Sequence, residues 1–199
     1  MRTAMTLFGA AAVSIACASA PGSTTGNANP SQKAVAQIPD WCLSPPKDSP
    51  TSGYACGIGE SRDMSIAVNA AEADGRNKLA QTIQTEMQGF EEKFQSSVRG
   101  DAGGEEVLNT FRSAIRAVTS QTLTGSRAAQ RFVAAEPSGV SYRAFILMEL
   151  DRGASRQALM DKVKSNDALY TRFKSTQAFD DLAARIKESN DAKAAAAKP

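Results

Sequence analysis

Apolar residues recur every three or four positions between Met64 and Val98: Val68, Ala71, Gly75, Leu79, Ile83, Met87, Phe90 and Phe94. That spacing fills one face of a single long helix. The face begins with small residues and ends with large ones. It predicts a helix lying very close to a sheet at its start, with phenylalanines filling a wider gap at its end. Ser61 or Asp63 is placed to cap it. Just upstream, Tyr54-Ala55-Cys56-Gly57-Ile58-Gly59 reads as a short strand entering a glycine turn. Gly100-Asp101-Ala102-Gly103-Gly104 ends the long helix, and a second helical segment follows with Val107, Phe111, Ala114, Ile115 and Val118 on one side.

Thr122 to Glu136 is read as a strand, and Pro137-Ser138 as the centre of a type I turn with Gly139 after it. Val140 to Leu150 alternates more clearly. Val140, Tyr142, Ala144, Ile146 and Met148 share one face, while Phe145 and Leu147 make the other partly apolar. Apolar residues on both faces predict a central or covered strand. The two strands are close enough in sequence to form an antiparallel hairpin. From Ala154 to Ser189, Leu159, Val163, Leu169, Phe173, Phe179, Leu182 and Ile186 keep an interrupted helical period, with a break at Asn166. The fold class read from this pattern is α+β: a small antiparallel sheet packed against a long helix, with a C-terminal helical segment over residues 152–190. The alanine-rich end, 191–199, is expected to fray as a disordered tail.

The first 16 residues break the pattern. Arg2 precedes an apolar stretch from Ala4 to Ile15, shorter than the ~20 residues a membrane span needs. It suits a secretory signal peptide. Two cleavage sites compete. Ala18-Ser19-Ala20 fits the small-residue rule, but Pro21 would follow the cut. Ser14-Ile15-Ala16-Cys17 resembles a bacterial lipobox, with Ser14 where leucine is usual. On that second reading Cys17 becomes the first residue and carries acyl chains, palmitate among them, on its sulfur and amino group. Two or more chains anchor a protein stably, whereas one does so marginally. Ala18 after the cysteine favours the outer membrane over the inner. Residues 17–37, rich in Ser, Thr, Gly, Asn and Pro, then read as a flexible tether. The folded domain is placed at 38–151.

Export changes how the other cysteines read. Cys42 and Cys56 flank a loop holding Pro45, Pro46, Pro50 and Gly53. In an oxidising compartment they read as one structural disulfide, against the alternative of two buried thiols. The 199-residue chain has no histidine, 23 Lys and Arg, and 21 Asp and Glu. That balance gives no footprint for nucleic acid. Without histidine the commonest general base and metal ligand are missing, so neither an enzyme nor a metal or other cofactor is expected.

Pro39-Asp40-Trp41, Tyr54-Ala55-Cys56-Gly57-Ile58-Gly59, the run Ala67, Ala70, Ala71, Ala73, Arg76, Leu79, Ala80, Ile83, and Tyr142-Arg143-Ala144-Phe145-Ile146 together form a further pattern. It resembles the LPP-twenty lipoprotein family, from about Pro39 to Asp151. The resemblance implies a compact α+β domain, and for some relatives a place in flagellar assemblies at the outer membrane. It carries over no catalytic residues. The Cys42 and Cys56 pair and the glycine break near Gly103 depart from the pattern.

Several motifs invite chemistry. Gly57-x-Gly59 between strand and helix resembles a phosphate loop, but Arg62 stands where a third glycine belongs. Ser44-Pro45-Pro46-Lys47 matches a Ser-x-x-Lys nucleophile, yet its prolines forbid the helix that motif needs. The pairs Glu91-Glu92, Glu105-Glu106 and Asp180-Asp181 diverge on a helix and read as solvated surface. Arg127 and Arg131, four apart in a strand, with Arg143 across the hairpin, would make a basic stripe for an acidic glycan or partner. Trp41 is a candidate contact anchor or a cap on the core. The leading expectation is a lipid-anchored module at the periplasmic face of the outer membrane, acting by contact with envelope proteins or by self-association. The alternative is a ligand-binding module for envelope glycan or a small anion.

Overall fold

A computed structural model describes residues 38–136 and 139–198. Its first element is a single helical turn, α1 (Asp40–Leu43). Strand β1 (Ser52–Ser61) leads into the long helix α2 (Met64–Val98). Asp63 caps that helix, its Oδ1 accepting from the amides of Ser65 and Ile66 at 2.7 and 3.2 Å.

The buried line of α2 is Ala67, Ala71, Gly75, Leu79, Ile83, Met87, Phe90, Phe94 and Val98. It follows the predicted stripe with one exchange and one addition: Val68 is half-buried and Ala67 takes the innermost place, and Val98 extends the line. The reason lies across the interface. Gly57 and Gly59 are not in a turn; they sit inside β1, facing the helix. A Cβ on Gly57 would lie 1.9 Å from the Ala71 carbonyl oxygen, and one on Gly59 would lie 2.3 Å from that of Ala67. Strand and helix backbones are in contact there, so only Ala and Gly fit between them.

The sheet is antiparallel with strand order β1-β3-β2. Strand β3 (Tyr142–Asp151) is central, pairing Ala55 with Met148 on one side and Phe132 with Phe145 on the other. Ala144, Ile146, Met148 and Leu150 form the inner face and are buried with the α2 line in one core. Val140 falls outside the strand and is exposed. Strand β2 (Arg127–Ala135) starts later than the sequence pattern implied. Helix α3 (Gly104–Thr124) claims Thr122 to Thr124, and the Gly125 amide closes it on Gln121 and Thr122 carbonyls. The Glu136 amide donates to Ser141 at 2.8 Å and closes the hairpin. The turn expected at Pro137-Ser138 lies outside the described residues. In α3, Leu108, Phe111, Ala114 and Val118 are buried, while Val107 and Ile115 flank them half-buried.

Three helices complete the chain: α4 (Arg152–Lys164), α5 (Asp167–Phe173) and α6 (Gln177–Ala196). Asn166 makes its break by capping α5 through the Leu169 amide at 2.9 Å. Thr176 caps α6. Helix α6 runs past Ser189 to Ala196. Phe94, Phe111 and Phe173 meet with ring centroids 5.0–5.3 Å apart. That cluster joins α2, α3 and α5. Leu159, Val163 and Leu182 lie in the same core, so the C-terminal helices share it with the sheet and long helix. The fold is α+β, with a three-stranded antiparallel sheet on one long helix.

Candidate functional site

Side chains alternate along a strand, so the residues not facing α2 line a second, outer sheet face. On β1 these are Tyr54, Cys56, Ile58 and Glu60; on β3, Arg143, Phe145, Leu147 and Glu149; on β2, Gln130, Phe132 and Ala134. The short helix α1 packs on this side against β1 and β3. A Cys42–Cys56 disulfide holds it there, with Cα atoms 5.2 Å apart. Cys56 pairs across the sheet with Leu147, and both are buried. Trp41 is half-buried beside the bridge.

The cover is incomplete. Phe145 is buried, but its row neighbours Ile58 and Phe132 remain 44% and 42% exposed, and Leu43 on α1 is 56% exposed. The Phe132 and Phe145 rings lie 6.2 Å apart. The result is a row of large apolar side chains across three strands, open to solvent at both ends.

The charges around this row are already answered. Arg127 donates to Glu149 at 2.9 and 3.0 Å. Arg143 donates to Glu60 at 3.1 Å and lies 2.9 Å from Glu136 Oε1, a charge contact without hydrogen-bond alignment. Arg131 is on the opposite face, donating to Glu72 of α2 at 2.8 Å. Residues four apart in a regular strand share a face. A bulge between Ala128 and Gln130 inserts one residue and reverses the parity. Arg127, Arg131 and Arg143 therefore form no continuous stripe, and each meets a carboxylate.

The two sheet edges differ. On β1, the Tyr54 amide donates to Asp48 at 3.1 Å, the Ile58 amide donates to Asp74 at 2.9 Å, and Lys78 donates to the Cys56 carbonyl at 2.9 Å. Partial burial pushes the Asp74 carboxyl up, but bonds from Lys78 and the Ile58 amide outweigh it and hold it below the usual carboxylate range. Side chains thus close the β1 edge. Among the described residues, none does the same for β2.

The other sequence motifs resolve into structure. Asp63 itself occupies the first amides of α2, where an anion would bind. Residues 44–47 are exposed and non-helical. Glu91 accepts from Arg112 at 2.6 Å, and Asp181 from Lys93. No cluster of potential metal ligands occurs among the described residues. No helix there is long and apolar enough to cross a membrane.

One constellation was not visible in the sequence. Glu86 of α2 accepts from Arg152 at 2.9 Å and from Arg156 at 2.7 Å, with Arg185 of α6 at 3.5 Å. Arg156 also donates to the Pro50 carbonyl at 2.9 Å, as Ser189 does at 2.6 Å. These bonds tie the disulfide-closed loop to the C-terminal helices. A cleft of about 480 Å³ opens beside Glu86, but each of its cations, Lys93, Arg152 and Arg185, faces a carboxylate. The single hint in the sequence was that Glu86 adjoins the stripe residues Ile83 and Met87.

Replacing Cys42 and Cys56 together by serine is expected to lower stability by about 3 kcal/mol, the loop-closure value for ~15 residues. Denaturant melts with and without reductant check this. The wild type should fall to the variant's midpoint when reduced, and the variant should not respond.

No curated protein and no solved structure matches the chain. A family model described as LPP20 lipoprotein does match, over residues 39–151. That span runs from the proline before α1 to the last residue of β3. It holds the disulfide, the close strand–helix contact and the whole sheet with its outer face. Covering more than half of the chain, the match places this protein in the LPP20 lipoprotein family.

Proposed function

We propose that the protein is anchored through acyl chains on Cys17 at the periplasmic face of the outer membrane and acts there by protein contact, as a structural or docking module of an envelope or flagellar-associated assembly. Membership of a lipoprotein family supports the anchor. Cys17 and the signal segment lie outside the described residues, so that part of the reading rests on the sequence.

The observation that carries the contact role is the outer sheet face. Leu43, Ile58 and Phe132 stand exposed there beside a buried Phe145. The arginines nearest to them are neutralised by Glu149, Glu60 and Glu136. Such a surface favours an apolar partner over an acidic glycan or small anion. A chain without histidine also supports contact over catalysis.

The test is crosslinking of the full-length lipoprotein in intact envelopes, with mass spectrometry of the adducts and of the mature N-terminus. The expected result is an acylated Cys17 terminus and discrete adducts through the outer face. A mature chain beginning after Cys17 without a fatty adduct, or monomer bands alone, overturns the reading.

A further inference from the structure

Strand β2 is an edge of the sheet, and among the described residues nothing pairs with its outer side. The bond from the Glu136 amide to Ser141 sets the phase of the hairpin. In an antiparallel ladder, bonding alternates between inward and outward along each strand. Gln130, Phe132 and Ala134, opposite Leu147, Phe145 and Arg143, therefore bond inward to β3. The amide and carbonyl groups of Arg131, Val133 and Ala135 point away from it. An edge of this kind is a template for another strand unless something blocks it. On β1 that block exists, in Asp48, Asp74 and Lys78.

We infer that two copies associate through antiparallel pairing of β2 with β2 about a two-fold axis, centred on Phe132. Three features select this partner and this register. Centring on Arg131 would set two guanidinium groups face to face, which is destabilising. Centring on Phe132 sets Arg131 against Val133 of the other copy, with Glu72 already beside Arg131. The same register sets Phe132 against its own symmetry mate, in the close, non-bonded type of pair. The row Ile58–Phe145–Phe132, exposed at its two ends, then continues into its mirror row, making one apolar ladder over six strands. Because β1 is closed, the pairing ends at two copies and does not propagate. Tethering both copies to one membrane would raise their effective concentration. This deepens the contact role proposed above by naming the partner as the chain itself.

Single cysteines in the full-length lipoprotein test the register. Facing residues in such a pair have Cβ atoms about 4.5–5.5 Å apart, within reach of a disulfide after small adjustment. Under mild oxidation Phe132→Cys should give a covalent dimer. Ala134→Cys should give none, because its symmetry mate lies four residues along, roughly 13 Å away at 3.3 Å per residue. Adding Val133→Pro should abolish the Phe132→Cys dimer. It removes an outward amide and leaves the β3 ladder intact, so the melting temperature should hold; if it falls, Ala135→Pro repeats the test. No dimer from Phe132→Cys, equal dimer from Ala134→Cys, or a dimer indifferent to both prolines overturns the pairing. The contact role fails separately, if the crosslinker in intact envelopes finds monomer alone.

Discussion

Gly57→Ala is expected to destabilise the protein by about 4 kcal/mol or more, placing it among the severe single substitutions. The added methyl would lie 1.9 Å from the Ala71 carbonyl oxygen, 2.4 Å from the Gly75 amide nitrogen and 2.8 Å from the Gly75 Cα. All three are backbone atoms of α2. No side chain can rotate away to make room. The helix would have to lift from the sheet, and Ala67, Ala71 and Met148, all at 0% exposure, would lose contact together. Gly89→Ala is the matched control. It lies on the same helix, and a Cβ there meets nothing within 4 Å. Alanine at such a site should add about 0.5–1 kcal/mol by restricting the unfolded chain and favouring helix. Urea denaturation of the three proteins should give midpoints in the order Gly57→Ala, wild type, Gly89→Ala. A Gly57→Ala midpoint close to that of the wild type would mean that strand and helix do not touch as described.

That contact explains why much of the fold was legible. A helix that lies on a strand backbone must carry Ala and Gly at helical spacing, and Ala71 and Gly75 advertise this in the sequence. The widening gap demands Phe90 and Phe94 farther on. Periodicity also carries the central strand, since Phe145 and Leu147 are apolar on the face opposite Ile146. Legibility ended where a single residue changed parity. The bulge beside Ala129 has no marker in the run Arg127 to Ala135, yet it sends Arg131 to Glu72 and Arg127 to Glu149. The start of β2 lies later than the residue types suggest, because Thr122 and Thr124 favour strands by type while the helix before them retains them. The outer face was legible only in its parts. Ile58 and Phe132 lie 74 residues apart in sequence, and nothing local says that Phe145 stands between them. Charges were least readable of all. A carboxylate in a long helix reads as solvent-facing, and Glu86 is not.

Glu86→Ala is expected to cost about 3–5 kcal/mol, because it removes the partner of a buried cation. The Arg156 side chain is only 4% exposed and that of Glu86 9%. Without the carboxylate, Arg156 loses its counter-charge and the anchor that aims its guanidinium, so its bonds to Pro50 and Ser189 weaken. The pH dependence tests the same cluster independently. Burial pushes the Glu86 carboxyl up, yet hydrogen bonds from Arg156 and Arg152, with their charges, outweigh it and hold it below the ordinary glutamate range. A carboxyl depressed in the folded state contributes stability above its unfolded value, about 4.3, and loses it as pH falls through the lower folded value. Asp74 and Asp151 are depressed as well and add to the same acid limb. The readout is therefore the difference between wild type and Glu86→Gln, in denaturant midpoints from pH 7 to pH 3. The variant should be less stable at pH 7, and the gap should narrow below about pH 5. A constant gap would mean that Glu86 does not titrate with folding. Because Arg156 also holds Pro50, inside the loop closed by Cys42 and Cys56, the losses from Glu86→Ala and from the double serine variant should not add. Each loosens the same loop from the same C-terminal helices, and the second change finds part of that contact already gone.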